Sequence, residues 1–234
     1  PLFLDENPPR IRRFGEVADI TFITTAGEKP AEFATPRHRV AFMPNPADRS
    51  IEALEGFART DQSTDIFCSI VSETGTPWRA EAMRDLKVRV PEARYGFFGI
   101  DGKPPIFGWE YFDAIGNARM GLNLNRRDGD YLYSSDRLAQ LAGNGLLVLV
   151  GRASGYGDFF SDEEFVFYDG PAELADKLRY FLGHDAERQA MAARSHAKYH
   201  AICNERLVAR FIEEASFGKA FNPDYVWPTR IFGG

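Results

Sequence analysis

Apolar positions in this chain gather in short unbroken runs, not in long stripes, and each run is closed by Gly, Pro, Asn or Asp. "ADITFITTAG" (Ala18 to Gly27) reads as a strand ending in a glycine turn. "RVAFMPNPAD" (Arg39 to Asp48) reads as a second strand, closed by Pro44-Asn45-Pro46, which forbids helix until it is passed. Further strands are predicted at Thr64 to Val71, Arg94 to Ile100, Arg119 to Asn125, Leu146 to Val150 and Glu164 to Asp169. Helices are predicted between them at Pro77 to Leu86, near Trp109 to Asn117 and at Asp136 to Gly143, and beyond them at Pro171 to Leu182, Ala186 to Ile202 and Asn204 to Phe217. In the helix that starts at Pro171, Leu174, Leu178 and Phe181 recur at helical spacing.

Short apolar strands alternating with helices predict an α/β fold, a Rossmann-like parallel sheet with helices on both faces. Such sheets bind ligands beyond the carboxyl ends of their strands. The stretches that matter for function are therefore Ser72–Arg79, Gly99–Gly108, Asn125–Arg137 and Gly151–Asp162.

Composition narrows the function classes. Of 234 residues, 44% are apolar and 14% aromatic, ample for a buried core and against disorder. The net charge of -6 argues against a general grip on nucleic acid, but leaves room for a local cationic pocket. Cys68 and Cys203 sit in apolar or helical contexts and read as buried thiols of a reducing compartment. No apolar stretch approaches the roughly 18 residues of a membrane span and no signal peptide is visible, so the chain reads as soluble and cytoplasmic. It opens on "PLFL" without an initiator Met, and is expected to be a fragment of a longer protein.

The candidate chemistry centres on "DGDYLYSSDRLAQLAGNGLLVLVG", Asp128 to Gly151. Ser134, Ser135 and Arg137 open a helix whose first-turn amides and dipole form an anion site. The two hydroxyls add donors, and Arg137 can grip a phosphate with two bonds. The plainer alternative is capping, with Ser135 as N-cap. Asn125, Arg126 and Arg127 just upstream favour the anion site. "GRASGYG" (Gly151 to Gly157) lacks the G-x-G-x-x-G spacing of dinucleotide oxidoreductases, and reads as a loop over a ligand or an ordinary turn. His196, His200 and Cys203 share one helix face, but packing explains them better than a metal. "SDEE" (Ser161 to Glu164) reads as a solvated strand entry, and "DGD" (Asp128 to Asp130) as a loop turn.

Taken in order, "GLNLN", "SSDRLAQLAGNGLLVLV", "EFVFYD", "PAELADKLRYFL" and "AERQAMAARSHAKYH" resemble the donor-binding domain of GT-B glycosyltransferases, from about Gly116 to Lys198. The likeness is to the bacterial glycosyl transferases group 1 branch that includes spore-coat-maturation proteins. The resemblance implies a nucleotide-sugar donor and a glycan, lipid-linked or protein acceptor, with no nucleic acid and no metal, and a place in the cytoplasm compatible with a peripheral position at the inner membrane. It implies three regions: 1–50 as the remnant of an acceptor domain, 51–218 as the donor domain and 219–234 as a tail. Ser135 and Arg137 fall where the family contacts the donor diphosphate, and Arg137 is expected to contribute most to affinity. Gln140 stands where the family carries a ribose-gripping Glu, and its amide oxygen accepts more weakly than a carboxylate. Leu132, eight residues earlier, stands where many retaining members have a first glutamate. No catalytic residue is assigned. The candidate donor contacts are thus Ser134, Ser135, Arg137, Gln140, Asn125 and Arg126, with Gly99 and Arg79 from the loops after neighbouring strands. A non-catalytic Rossmann-like module that has lost the donor site is the alternative, favoured by Gln140.

Overall fold

The apolar runs become strands of two sheets. The computed structural model describes residues 2–4, 7–127 and 129–234. In the first sheet β1 (Leu2–Leu4), β2 (Ile20–Ile23) and β3 (Arg39–Phe42) run parallel, with Leu2 opposite Thr21 and Ile20 opposite Arg39. The second sheet holds β4 (Thr64–Ser69), β5 (Tyr95–Phe98), β6 (Ala118–Asn123), β7 (Leu147–Gly151) and β8 (Val166–Tyr168). All five are parallel, in the order β5-β4-β6-β7-β8. This is the expected α/β architecture, with helices on both faces of a parallel sheet.

The helices are α1 (Pro8–Phe14), α2 (Pro77–Arg89), α3 (Gly108–Gly116), α4 (Asp136–Gly143), α5 (Pro171–Gly183), α6 (Asp185–Ile202) and α7 (Glu205–Phe217). On one face of the second sheet Ile66, Met120, Leu122, Leu147 and Leu149 meet Met83 and Leu86 of α2 and Leu174 and Leu178 of α5. On the other, Phe67, Val148 and Val150 meet Leu138 and Leu141 of α4 in a core that continues into Phe22 and Phe42 of the first sheet and Phe211 of α7. This second cluster therefore serves both sheets. Gly121 lets α4 lie directly on β6, since a Cβ there would stand 2.5 Å from Leu141.

Several elements differ from the sequence reading. The second strand stops at Phe42 because Pro44 and Pro46 carry no N–H for a ladder. "EFVFYD" pairs only over Val166–Tyr168, because Ser161 and Glu164 close a turn in front of it, Ser161 N donating to Glu164 Oε2 at 2.8 Å. Helix α1 has no sequence counterpart: Pro8 and Pro9 occupy its first turn, where no N–H is needed. Asn7 caps it, accepting from Arg10 N at 3.1 Å. Residues 219–234 run back to the first sheet. Trp227 packs edge-on against Phe211, and β9 (Ile231–Phe232) pairs antiparallel with β3. His196 and His200 are buried on α6 and Cys203 at its C-cap, with His200 Nε2 3.0 Å from Gly143 O and His196 beside Phe57. Among the described residues no helix is long and apolar enough to cross a membrane.

At the outer end of the second sheet Asp65, 4% exposed, accepts bonds from Arg94 N (2.8 Å), Nε (2.9 Å) and Nη2 (2.7 Å) and from Arg119 Nη1 (3.1 Å). Burial alone would raise its carboxyl, but the arginine bonds outweigh burial and hold it below its usual value. The stabilisation is then complete above the ordinary carboxylate range and fades as pH falls through the lowered folded value. Asp65→Asn should cost about 3 kcal/mol at pH 7. In urea melts from pH 7 to pH 2, the gap between wild type and variant should close in acid; a gap independent of pH would refute the account.

Candidate functional site

Where the carboxyl ends of both sheets meet, the chain encloses a cleft of about 750 Å³. The first sheet contributes Thr24, after β2, and Asn45, after β3. The second contributes the loop after β4 with the start of α2, the segment 105–108 with the start of α3, Arg126 after β6, and residues 133–137 leading into α4. Three helices thus begin at the cleft, and each brings the positive end of its dipole.

The walls differ in chemistry. Arg79, Arg126 and Arg137 supply cations, and among the described residues Asp136 is the sole carboxylate in the lining. Among the described residues neither Arg79 nor Arg137 forms an ion pair. Burial, with Arg137 nearby, lowers the Arg79 guanidinium to about 10, so it stays charged at neutral pH. One side is apolar and aromatic: Pro105, Ile106, Phe107, Tyr111 and Phe112. The side facing the first sheet, Thr24, Asn45, Ser134 and Ser135, is polar and uncharged.

Six of the eight residues singled out from sequence come together here: Arg79, Arg126, Ser134, Ser135, Arg137 and Gln140. Ser135 is the N-cap of α4, its Oγ accepting from Leu138 N at 3.2 Å and donating to Asn123 Oδ1 at 3.0 Å. Ser134 is 1% exposed, and its Oγ accepts from Asn45 N at 2.8 Å. Arg137 donates from Nη1 to Leu124 O (2.9 Å) and from Nη2 to Ser69 O (2.8 Å), tying the ends of β6 and β4 together. Its Nε is buried and has no hydrogen-bond partner among the described residues. Arg79 is anchored by Nε on Asn125 O at 2.9 Å.

Gly99 and Asn125 stand outside the lining. Gly99 makes a turn: its φ is +80°, its N donates to Lys103 O at 3.0 Å, and a Cβ would stand 1.9 Å from Ile70 O. Asn125 is buried, its carbonyl holding Arg79 and its Oδ1 accepting from Asn123 Nδ2 at 3.2 Å. The Gly151–Asp162 stretch also misses the cleft. It folds into two short 3₁₀ turns, Arg152–Ser154 and Tyr156–Asp158, with Tyr156 and Phe160 drawn into the core. Asp5 and Glu6, and Asp128 of the "DGD" turn, lie outside the described residues. Among those described, no group of three His, Cys, Asp or Glu could hold a metal ion.

Sequence reasoning missed Asn45, Tyr111, Phe112 and Tyr133, and met Thr24 only as part of "TTAG". For Asn45 the signal was present in Pro44-Asn45-Pro46, a polar side chain held rigidly just past a strand. For the aromatic wall it was the density of rings in "IFGWEYF".

The glycosyl transferase-like family model matches residues 49–213, and the chain belongs to that family. Its fold is that of the GT-B glycosyltransferases. An alpha-glucosyltransferase solved with UDP-glucose and DNA containing an abasic site superposes with a TM-score of 0.67, at 10% identity over 92% of this chain and 72% of that one. An Anabaena protein solved with UDP and glucose gives 0.56, at 10% identity over 92% and 71%. Sucrose-phosphate synthase from Thermosynechococcus elongatus gives 0.52, at 14% identity over 91% of this chain, which spans 62% of the synthase. No curated protein matches in sequence.

Gly99→Ala should destabilise the protein by about 2 kcal/mol or more, because the alanine would meet both an unfavourable φ and the Ile70 carbonyl. Urea denaturation checks this; an unchanged midpoint would show that the turn relaxes freely.

Proposed function

We propose that the cleft binds a nucleotide-sugar and that the protein, as part of a longer glycosyltransferase, transfers the sugar to a bacterial surface glycan, lipid-linked or protein acceptor. The observation that carries this reading is the meeting of three guanidinium groups and three helix N-termini in one cleft of an acidic chain. A diphosphate matches that floor in charge and in hydrogen-bond geometry. The aromatic side suits a nucleobase, and the polar side toward the first sheet suits a sugar. Developing negative charge on a leaving nucleoside diphosphate would be stabilised by Arg79, Arg137 and helix amides, without a metal. The reading places the protein in the cytoplasm.

Calorimetric titration with UDP, GDP, CDP and ADP tests this, with UDP first because one structural neighbour was solved with UDP-glucose and another with UDP. Binding of at least one, unchanged by a chelator, is expected; a folded protein that binds none would overturn the reading. Arg137→Ala should weaken nucleotide binding roughly tenfold to a hundredfold, the loss of a charge-assisted bond of about 1.5–3 kcal/mol. Arg137→Lys should recover only part, keeping the charge without the fork. Arg194→Ala is the control, since that side chain donates to Glu163 O on the outside of α6. Equal affinities for Arg137→Ala and the control would leave the Ser-Ser-Asp-Arg segment a helix cap alone.

A second reading, a binding module without transfer, is favoured by Gln140 at the cleft where the resembled family carries Glu. Gln140→Glu separates the two. A gain in nucleotide affinity supports an intact ribose site, whereas a loss supports a reshaped one.

A further inference from the structure

Asn45 occupies an unusual position. It lies between two prolines, so the backbone on either side of it is stiff, and the following proline holds it out of the helical region. Its N donates to Ser134 Oγ at 2.8 Å and its Nδ2 to Ser134 O at 2.7 Å. Its own carbonyl accepts from Tyr199 OH of α6 at 3.0 Å. Two backbone bonds flank this contact, Ser134 N to Thr24 O at 2.7 Å and Ala26 N to Tyr131 O at 3.0 Å. The turn before α4 is thus fastened to the ends of β2 and β3, although its chain belongs to the second sheet.

The middle of that turn is strained. Leu132 has φ +50°, a left-handed conformation that a leucine rarely adopts, and it is held there by Leu132 N donating to Ser154 O at 2.8 Å and by full burial of its side chain. Directly after Ser134 come Ser135, which caps α4, and Arg137. A strained turn keeps its shape only while its surroundings enforce it, and from the first sheet Asn45 is the residue that makes two hydrogen bonds to Ser134.

We propose that Asn45 is a positioning residue: from the first sheet it clamps Ser134, and so holds the N-terminus of α4 and Arg137 in the arrangement that receives the donor. This rests on the donor reading given above. The two halves of the cleft then cooperate, because the contact that closes the sheets together also shapes the anion site. Nucleotide bound at α4 and the contact between Asn45 and Ser134 stabilise one another.

Two variants test it. Asn45→Ala removes the Nδ2 donor, and Asn45→Asp places a carboxylate oxygen against the Ser134 carbonyl at nearly unchanged volume. Both are titrated with UDP well below their melting temperatures, and hydrogen exchange is followed at the Leu138 amide, which Ser135 caps. The expected result is UDP affinity about tenfold weaker for Asn45→Ala and weaker again for Asn45→Asp, with faster Leu138 exchange in both. Wild-type UDP affinity and wild-type Leu138 exchange in variants that only melt lower would overturn the proposal and leave Asn45 a structural residue. If another of the four nucleotides binds the wild type in place of UDP, it serves as the probe; if none binds, the donor reading falls, while Leu138 exchange still decides whether Asn45 positions α4.

Discussion

The turn at residues 131–134 belongs to the second sheet by chain and to the first by hydrogen bonding, and the cleft depends on that double attachment. Its carbonyls and amides meet the ends of β2 and β3 through Ala26, Thr24 and Asn45, while its continuation caps α4. Beneath it Phe42, Pro44, Leu132, Tyr156 and Tyr199 form an apolar seam between the sheets. Backbone bonds in such surroundings are costly to break, because the exposed groups would find few other partners. The seam supplies apolar packing and the bonds set direction.

Charge is handled locally. The chain carries an excess of acids, and many of them form surface pairs with Lys or Arg, as Asp101 does with Arg84 and Asp85 with Arg89. Two arginines of the cleft are anchored instead by backbone carbonyls, Arg79 on Asn125 and Arg137 on Leu124 and Ser69. A carbonyl fixes the guanidinium without cancelling its charge, so an anion entering the cleft meets it undiminished. The same carbonyls lie at the end of β4 and just after β6, so the cationic floor and the ends of these strands are held as one unit.

Elements whose signal is local were legible from sequence. Ser135 as a helix start, the apolar "LLVLV" of β7 and the helix from Pro171 all follow from capping chemistry and periodicity within a few residues. Helix α1 was missed for an equally local reason, because a pair of prolines looks like loop unless Asn7 is recognised as their cap. Strand β9 was out of reach, since its two residues become a strand only by pairing with β3, nearly two hundred positions earlier. The 151–162 loop was misplaced because its glycines suggest mobility, whereas Tyr156 and Phe160 are held in the core by neighbours distant in sequence.

The sequence by itself determined the alternation of strand and helix, the parallel character of the sheet and the loops at whose carboxyl-end positions a ligand can sit, because these follow from side-chain periodicity and from the geometry of parallel crossovers. It also carried the family resemblance. Only the tertiary structure decided which candidates face one another. Arg79 and Arg137 reach the same cleft because β4 and β6 are neighbours, an adjacency that strand order in the chain does not state. Gly99 serves a turn because the Ile70 carbonyl lies against it, and Ser134 is covered because Asn45 arrives from the other sheet. Contacts between residues far apart in the chain arise from the packing of whole elements, and no spacing along the sequence encodes them.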